Sequence, residues 1–172
     1  KSIKNIHGVL HKALKQAVLI GYLRTNPTEA CILPRIIRKE MHPLEEDQVA
    51  VFLREVQGHP HEYLYKIALF TGLREGEVLG LGWEHIDFQA GTLTVKRQLR
   101  REQKKGGEYY FSPPKNNKSR CLTLAPSVIQ LFRLQKLEQN SMRMEAGDAW
   151  EEHGLIFTNQ TGGYLSYRTV YD

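Results

Sequence analysis

Two cysteines in 172 residues, Cys31 and Cys121, are too few for a disulfide framework. Neither belongs to a CxxC pair or stands beside an activating group, so both read as small packing residues. Seven prolines and fourteen glycines are too few for a collagen-like or low-complexity chain. No apolar run approaches the roughly 18 residues of a membrane-spanning helix, and the basic start at residues 1–4 lacks the apolar stretch of a secretion signal. These absences predict a soluble, cytoplasmic chain with no membrane partner. No glycine-rich phosphate loop is present. His7 and His11 are spaced four apart on a helix without a third ligand nearby, and His59 and His61 flank a proline in a turn, so no metal and no cofactor is expected. What is present is a hydrophobic share of 41% with 9% aromatics, enough for a packed core; a domain near this length buries roughly 70% of the surface its unfolded chain exposes.

The net charge of +5 is modest, but it is unevenly distributed. Residues 1–40 carry +6, residues 41–90 carry −6, residues 91–125 carry +7 and residues 126–172 carry −2. Two basic blocks separated by an acidic one suggest two surfaces facing one polyanion, because clustered Lys and Arg release counterions from phosphates. Solvated basic faces are also common in proteins that bind no nucleic acid, so charge alone leaves both readings open.

Ser2 followed by apolar residues from Ile3 to Val18 at helical spacing predicts an amphipathic helix over 3–22, with a turn at Thr25-Asn26-Pro27. The basic stretch at 34–39 reads as a linker and places a domain boundary near residue 40. Helices are expected over about 45–57, from Tyr63 to Gly72, and from Glu75 to Leu81. Three strands in a meander then follow, around Thr92–Val95, Tyr109–Phe111 and Arg120–Leu124. Pro126 opens a further helix, Leu155-Ile156-Phe157 reads as a short buried strand, and Ser166 to Val170 as a first helical turn. Trp83 and Phe88 read as core, and Tyr164, Tyr167 and Tyr171 as packing or surface residues. The fold class is mixed α+β, mainly α-helical with a small three-stranded antiparallel sheet. The chain starts at Lys1 rather than Met and stops inside a helical pattern, which suggests a fragment of a longer parent.

One stretch concentrates chemistry. In Thr71-Gly72-Leu73-Arg74-Glu75-Gly76-Glu77 an arginine follows a helix-ending glycine and opens a short helix, so its guanidinium can project into a cleft as a rigid donor fork for phosphate oxygens. Glu77 lies one turn later on the same face and can orient that fork; on spacing alone, however, an ordinary surface ion pair is the default reading of the two.

Gly72-Leu73-Arg74, followed by Glu77, Leu81, Trp83 and Ile86-Asp87, resembles the first catalytic box of the tyrosine recombinase, or phage integrase, family. Residues 114–120, which lead into Leu122-Thr123-Leu124, resemble the family's β-hairpin lysine box. The first helix resembles the end of the core-binding domain that precedes the catalytic domain, so that residues 1–40 would be its remnant and 41–172 the first part of a truncated catalytic domain. The resemblance implies site-specific DNA integration and excision for a mobile element. A tyrosine hydroxyl attacks a phosphodiester to give a 3′-phosphotyrosyl link and a free 5′-hydroxyl, with no metal or nucleotide consumed.

Matched position by position, Arg74 is the first catalytic arginine, Lys115 the hairpin lysine that protonates the leaving 5′-oxygen, and Glu77 the acid that supports the site. Lys118 competes with Lys115 for its role. The DNA contacts expected are Lys96, Arg97, Lys118 and Arg120 on the hairpin, with Lys12 and Lys15 on the first helix. Double-stranded DNA and other recombinase protomers, a tetramer in the parent, are the implied partners, and a nucleoid location follows. The family also needs a His-x-x-Arg box and a later nucleophilic tyrosine. None of the seven histidines is followed by arginine three places on. No nucleophile is therefore assigned in this chain, which is expected to be inactive alone; a non-catalytic DNA-binding accessory protein on the same scaffold is the alternative.

Overall fold

The computed structural model describes residues 2–35, 40–104, 106–115 and 117–171, with Tyr171 through its backbone only. Most of the expected linker, residues 36–39, and the turn residue Asn116 lie outside the described residues. The chain divides into two compact units, Lys1–Leu44 and Glu45–Asp172.

In the first unit, α1 (Ser2–Leu19) ends three residues earlier than the periodicity predicts, because Gly21 adopts a left-handed φ of 81° and closes the helix. Thr25-Asn26-Pro27 turns the chain back, and a single 3-10 turn, Pro27–Ala30, packs on α1. Asn26 accepts from the Thr28 backbone N–H at 3.1 Å and donates to the His11 carbonyl at 3.1 Å. His7 Nε2 donates to the Thr28 carbonyl at 3.0 Å, and His11 Nδ1 lies 2.9 Å from Thr28 Oγ1. The two histidines that share a helix face therefore fasten the turn to α1. Cys31 is exposed, not packed.

In the second unit, α2 (Glu46–Glu55) begins at a capping box in which the Gln48 side chain accepts from the Glu45 N–H at 3.0 Å. α3 (Glu62–Thr71) ends at Gly72, whose φ of 62° is the left-handed turn that glycine permits. α4 (Glu75–Leu79) follows at once. α5 (Pro126–Ala146) starts with proline at its first position, packs against α3, and is the longest element; α6 (Tyr167–Tyr171) is short.

The strands depart from a three-strand meander. β1 (Ile86–Asp87), β2 (Thr92–Val95) and β5 (Arg120–Thr123) form the three-stranded antiparallel sheet, in the order β1-β2-β5. β3 (Gln98–Arg101) and β4 (Tyr109–Ser112) form a separate two-stranded ribbon. Thr92 pairs with Thr123 and Val95 with Arg120, so β2 meets β5 directly and the ribbon is an excursion between them. β3 escapes a periodicity reading because Gln98-Leu99-Arg100-Arg101 buries only Leu99, which pairs with Phe111 across the ribbon. Leu155, Ile156 and Phe157 are buried as expected, but only Leu155 bridges, to Gly82. Cys121 on β5 is exposed.

The core of this unit gathers Ile67 from α3, Val78 and Leu79 from α4, Leu93 and Val95 from β2, Leu99, and Phe132 from α5, none more than 2% exposed. Trp83 and Phe88 are partly buried against it, their rings stacked at 6.5 Å. Because α4 contributes Val78 and Leu79 to this core, its N-terminus, with Arg74, is fixed by packing rather than by its five-residue length.

Candidate active site

Glu77 is the center of the site. It lies on the inner side of α4 beside Val78 and Leu79 and is 1% exposed. A carboxylate so placed needs charged partners, since an unpaired buried charge is costly. Arg120 at the start of β5 supplies two hydrogen bonds: its Nη1 donates to Oε1 at 2.8 Å and its Nη2 to Oε2 at 2.7 Å, a parallel fork. Arg74 adds two more. Its backbone N–H donates to Oε2 at 2.9 Å and its Nη1 to Oε1 at 3.1 Å. The Arg120 hydrogen bonds, more than any other contact, hold the Glu77 carboxyl down at about 2, against the opposing effect of burial, and the Arg74 backbone N–H acts in the same direction. Arg120 is correspondingly raised by its bonds to Glu77.

The two arginines differ in what they show to solvent. The Arg74 side chain is 63% exposed and that of Arg120 36%. Two guanidinium groups on one carboxylate leave an excess positive charge at the surface, with Arg74 as its most accessible donor. The expectation that Glu77 orients Arg74 from one turn along the same helix matches this geometry, but the pair is not a surface ion pair, because Glu77 is buried. Sequence reasoning placed Arg120 among cations facing DNA and missed its grip on Glu77. The available signal was an acid on the apolar side of a short helix, which demands a cation from elsewhere in the chain.

Lys115 is exposed in the turn after β4, without a partner among the described residues. The turn is stiffened by Pro113 and Pro114; Gln98 Nε2 donates to the Pro113 carbonyl at 2.7 Å, and the Asn117 N–H donates to the Pro114 carbonyl at 2.7 Å. Lys115 stands five positions before Arg120, so their Cα atoms lie within about 18 Å of one another. Lys118 and Lys96 are exposed near the same strands, and Lys12 and Lys15 are exposed on α1. Arg97, in contrast, spends its donors within the chain, on the Gly80 carbonyl and on Glu84. Tyr164 and Tyr167 pack: Tyr164 stacks on Tyr109 with ring centroids 5.2 Å apart, and the Tyr167 hydroxyl donates to the Leu99 carbonyl. Among the described residues, no helix is long and apolar enough to cross a membrane.

A model of the phage integrase family matches residues 42–172, the whole of the unit that carries Arg74, Glu77 and Arg120. The chain belongs to the phage integrase family. This integrase-family chain is 28% identical over 181 residues to a XerC-like tyrosine recombinase of Caldanaerobacter subterraneus subsp. tengcongensis, an alignment covering 96% of this chain and 46% of that protein. It is 28% identical over 178 residues to an integrase of Streptomyces ambofaciens, covering 99% of this chain and 44% of the relative. The chain thus spans about half the length of the curated relatives it matches. Its fold is also that of the Tn1549 transposon integrase solved in complex with transposon right end DNA, with a TM-score of 0.78 at 24% identity over 97% of this chain and 54% of that one. A lambda integrase dimer bound to a COC′ core site gives a TM-score of 0.55 at 21% identity, over 97% of this chain and 41% of that one. The mixed, mainly helical fold with a small three-stranded antiparallel sheet is therefore the integrase fold.

Proposed function

We propose that this chain carries the phosphate-binding and proton-donating half of the active site of a mobile-element recombinase that cuts and rejoins DNA through a 3′-phosphotyrosyl intermediate. The observation that carries the reading is the buried Glu77 carboxylate holding Arg74 and Arg120 together. In the transition state of attack on a phosphodiester, negative charge grows on the non-bridging oxygens. Arg74, already oriented by Glu77, donates to them without reorganisation. As the bond from phosphorus to the 5′-oxygen breaks, Lys115 gives that oxygen its proton, while the bond to phosphorus forms from a tyrosine oxygen supplied by the longer parent. Lys96 and Lys118 contact flanking phosphates of double-stranded DNA in the cytoplasm, Arg120 adds charge to the strand end beside them, and Lys12 and Lys15 on α1 meet phosphates from the first unit. The parent works as a tetramer on DNA.

The test has two parts. Fluorescence anisotropy of duplex DNA with this chain should show binding that weakens steeply with salt; salt-independent or absent binding refutes the reading. Incubation with a nicked recombination site should give no covalent adduct with this chain, and an adduct with the full-length protein that Arg74→Ala abolishes. A denaturation-resistant adduct formed by these 172 residues would overturn the assignment of the nucleophile to the parent. The alternative is a non-catalytic DNA-binding protein on the same scaffold. A full-length protein that binds DNA and never forms the adduct would establish it.

A further inference from the structure

Arg97 stands in the two-residue link between β2 and β3, and three elements close around its guanidinium. Nε donates to the Gly80 carbonyl at the end of α4 at 3.0 Å. Nη2 lies 3.1 Å from Glu84 Oε1, in the 3-10 turn Trp83–His85. Its central carbon lies 4.1 Å from the centroid of the Phe111 ring on β4. Only 27% of the side chain is exposed, which fits a joint better than a phosphate contact. A directional Nε–H bond, a planar face for the ring and a further N–H for a carboxylate are together properties of arginine and not of lysine.

The same junction is tight on the backbone side. A Cβ at Gly80 would lie 2.7 Å from the Leu99 nitrogen and 3.0 Å from the Gln98 carbonyl carbon, so the end of α4 meets β3 backbone to backbone. The Phe111 ring in turn meets the Tyr164 ring edge-on at 6.0 Å, and Tyr164 stacks on His153 at 4.7 Å. The ribbon of β3 and β4 is therefore held at its base to α4 and along β4 to the 153–164 segment. Lys115 follows β4, which ends at Ser112, through Pro113 and Pro114 alone, a short link with two fixed φ angles, so the placement of the ribbon is passed on to Lys115.

We propose that Arg97 is a positioning residue: by binding Gly80, Glu84 and Phe111 at once it locks the ribbon onto α4 and sets where Lys115 stands relative to Arg74 and Glu77. The catalytic use of that placement rests on the function proposed above; the lock itself does not.

The test measures the placement directly. Nitroxides at Lys118→Cys and Met144→Cys, in a chain carrying Cys31→Ser and Cys121→Ser, report by double electron–electron resonance how narrowly the Lys115 turn is held against α5. One narrow distance distribution is expected for Arg97, and a broadened one for both Arg97→Ala and Arg97→Lys. Val128→Ala, which destabilises the α5 core and removes none of the Arg97 contacts, should leave the width unchanged. An unchanged width in Arg97→Lys overturns the lock, and this variant suffices should Arg97→Ala fail to fold; broadening in Val128→Ala overturns it too, since the effect would then be general loosening. A salt titration with duplex DNA adds a second readout. A phosphate contact would lower the slope by roughly one in Arg97→Ala and Arg97→Lys would restore it, an outcome that refutes the proposal; a slope unchanged in both supports it. Should the chain bind no DNA at all, the functional reading falls while the distance measurement still decides the lock.

Discussion

Glu77 and Arg120 are 43 residues apart in sequence and share two parallel hydrogen bonds, at 2.8 and 2.7 Å, within a carboxylate that also holds Arg74. This contact ties the last strand of the sheet to the helix that presents the exposed arginine. It makes one residue responsible for both the stability of the unit and the aim of Arg74, so loss of the acid should be felt in both.

The stability part has a definite pH signature. The Glu77 carboxyl sits at about 2 in the folded chain against an ordinary 4.5, so the folded state is favored fully above pH 4.5 and loses that advantage as pH falls toward 2. The difference corresponds to about 3 kcal/mol. Urea midpoints measured from pH 7 to pH 2 should fall across the lower window. In Glu77→Gln the midpoint at pH 7 should already be lower, by about 3 kcal/mol in stability, and the gap from the unmodified chain should close on acidification. A gap that stays constant from pH 7 to pH 2 would remove the ion pair as its cause.

Two glycines should respond in opposite directions to the same added methyl group. At Gly80 a Cβ would press on the backbone of Gln98 and Leu99, so Gly80→Ala should cost about 1–3 kcal/mol. Gly8 lies inside α1 with nothing within 4 Å of its added Cβ, so Gly8→Ala should gain up to about 1 kcal/mol through helix propensity. Thermal melts of the two variants check both signs. A neutral Gly80→Ala would mean that the joint between α4 and β3 can open without loss.

The helices were legible in the sequence where caps and periodicity agree: Gly72 after α3, Pro126 opening α5 and the acidic first turn of α2 all stand within a residue or two of where they were expected. The strands were legible only where they alternate. Thr92–Val95 does so, with Leu93 and Val95 inward, whereas β3 hides its single buried Leu99 among polar and basic residues. Pairing of β2 with β5 across the intervening ribbon is a non-local event that no local pattern encodes. The candidate site divides in the same way. Arg74 and Glu77 are one helical turn apart and could be read together; Arg120 reaches them only because β5 folds alongside β2, and the inward role of Arg97 depends on a backbone contact at Gly80 that has no sequence signature beyond the glycine itself.

The exposed lysines give a prediction about binding that leaves the fold untouched. Lys96 and Lys118 are both exposed, so alanine at either position should leave melting unchanged. If each meets a phosphate, each substitution should reduce the slope of log K against log salt for duplex DNA by roughly one, uniformly across sequences. A sequence-dependent loss with an unchanged slope would instead point to base contact.

Gln139 allows a test of how the segment before α6 is held. Its Oε1 accepts from Trp83 Nε1 at 2.7 Å, while its Nε2 donates to the Leu155 carbonyl at 2.8 Å and reaches the Ile156 carbonyl at 3.2 Å. The side chain is 7% exposed and Leu155 and Ile156 are buried, so the two carbonyls have no water to fall back on. Gln139→Leu removes both sets of bonds and should cost about 3 kcal/mol, with an altered Trp83 emission spectrum and faster amide exchange at Ile156, whose N–H bonds to the Leu81 carbonyl. Gln139→Glu keeps an acceptor for Trp83 but turns an oxygen toward the two carbonyls. It should therefore preserve the Trp83 emission while accelerating exchange at Ile156 as much as leucine does. Equal changes in both readouts for both variants would mean that Gln139 acts as one packing unit and not through two separable sets of hydrogen bonds.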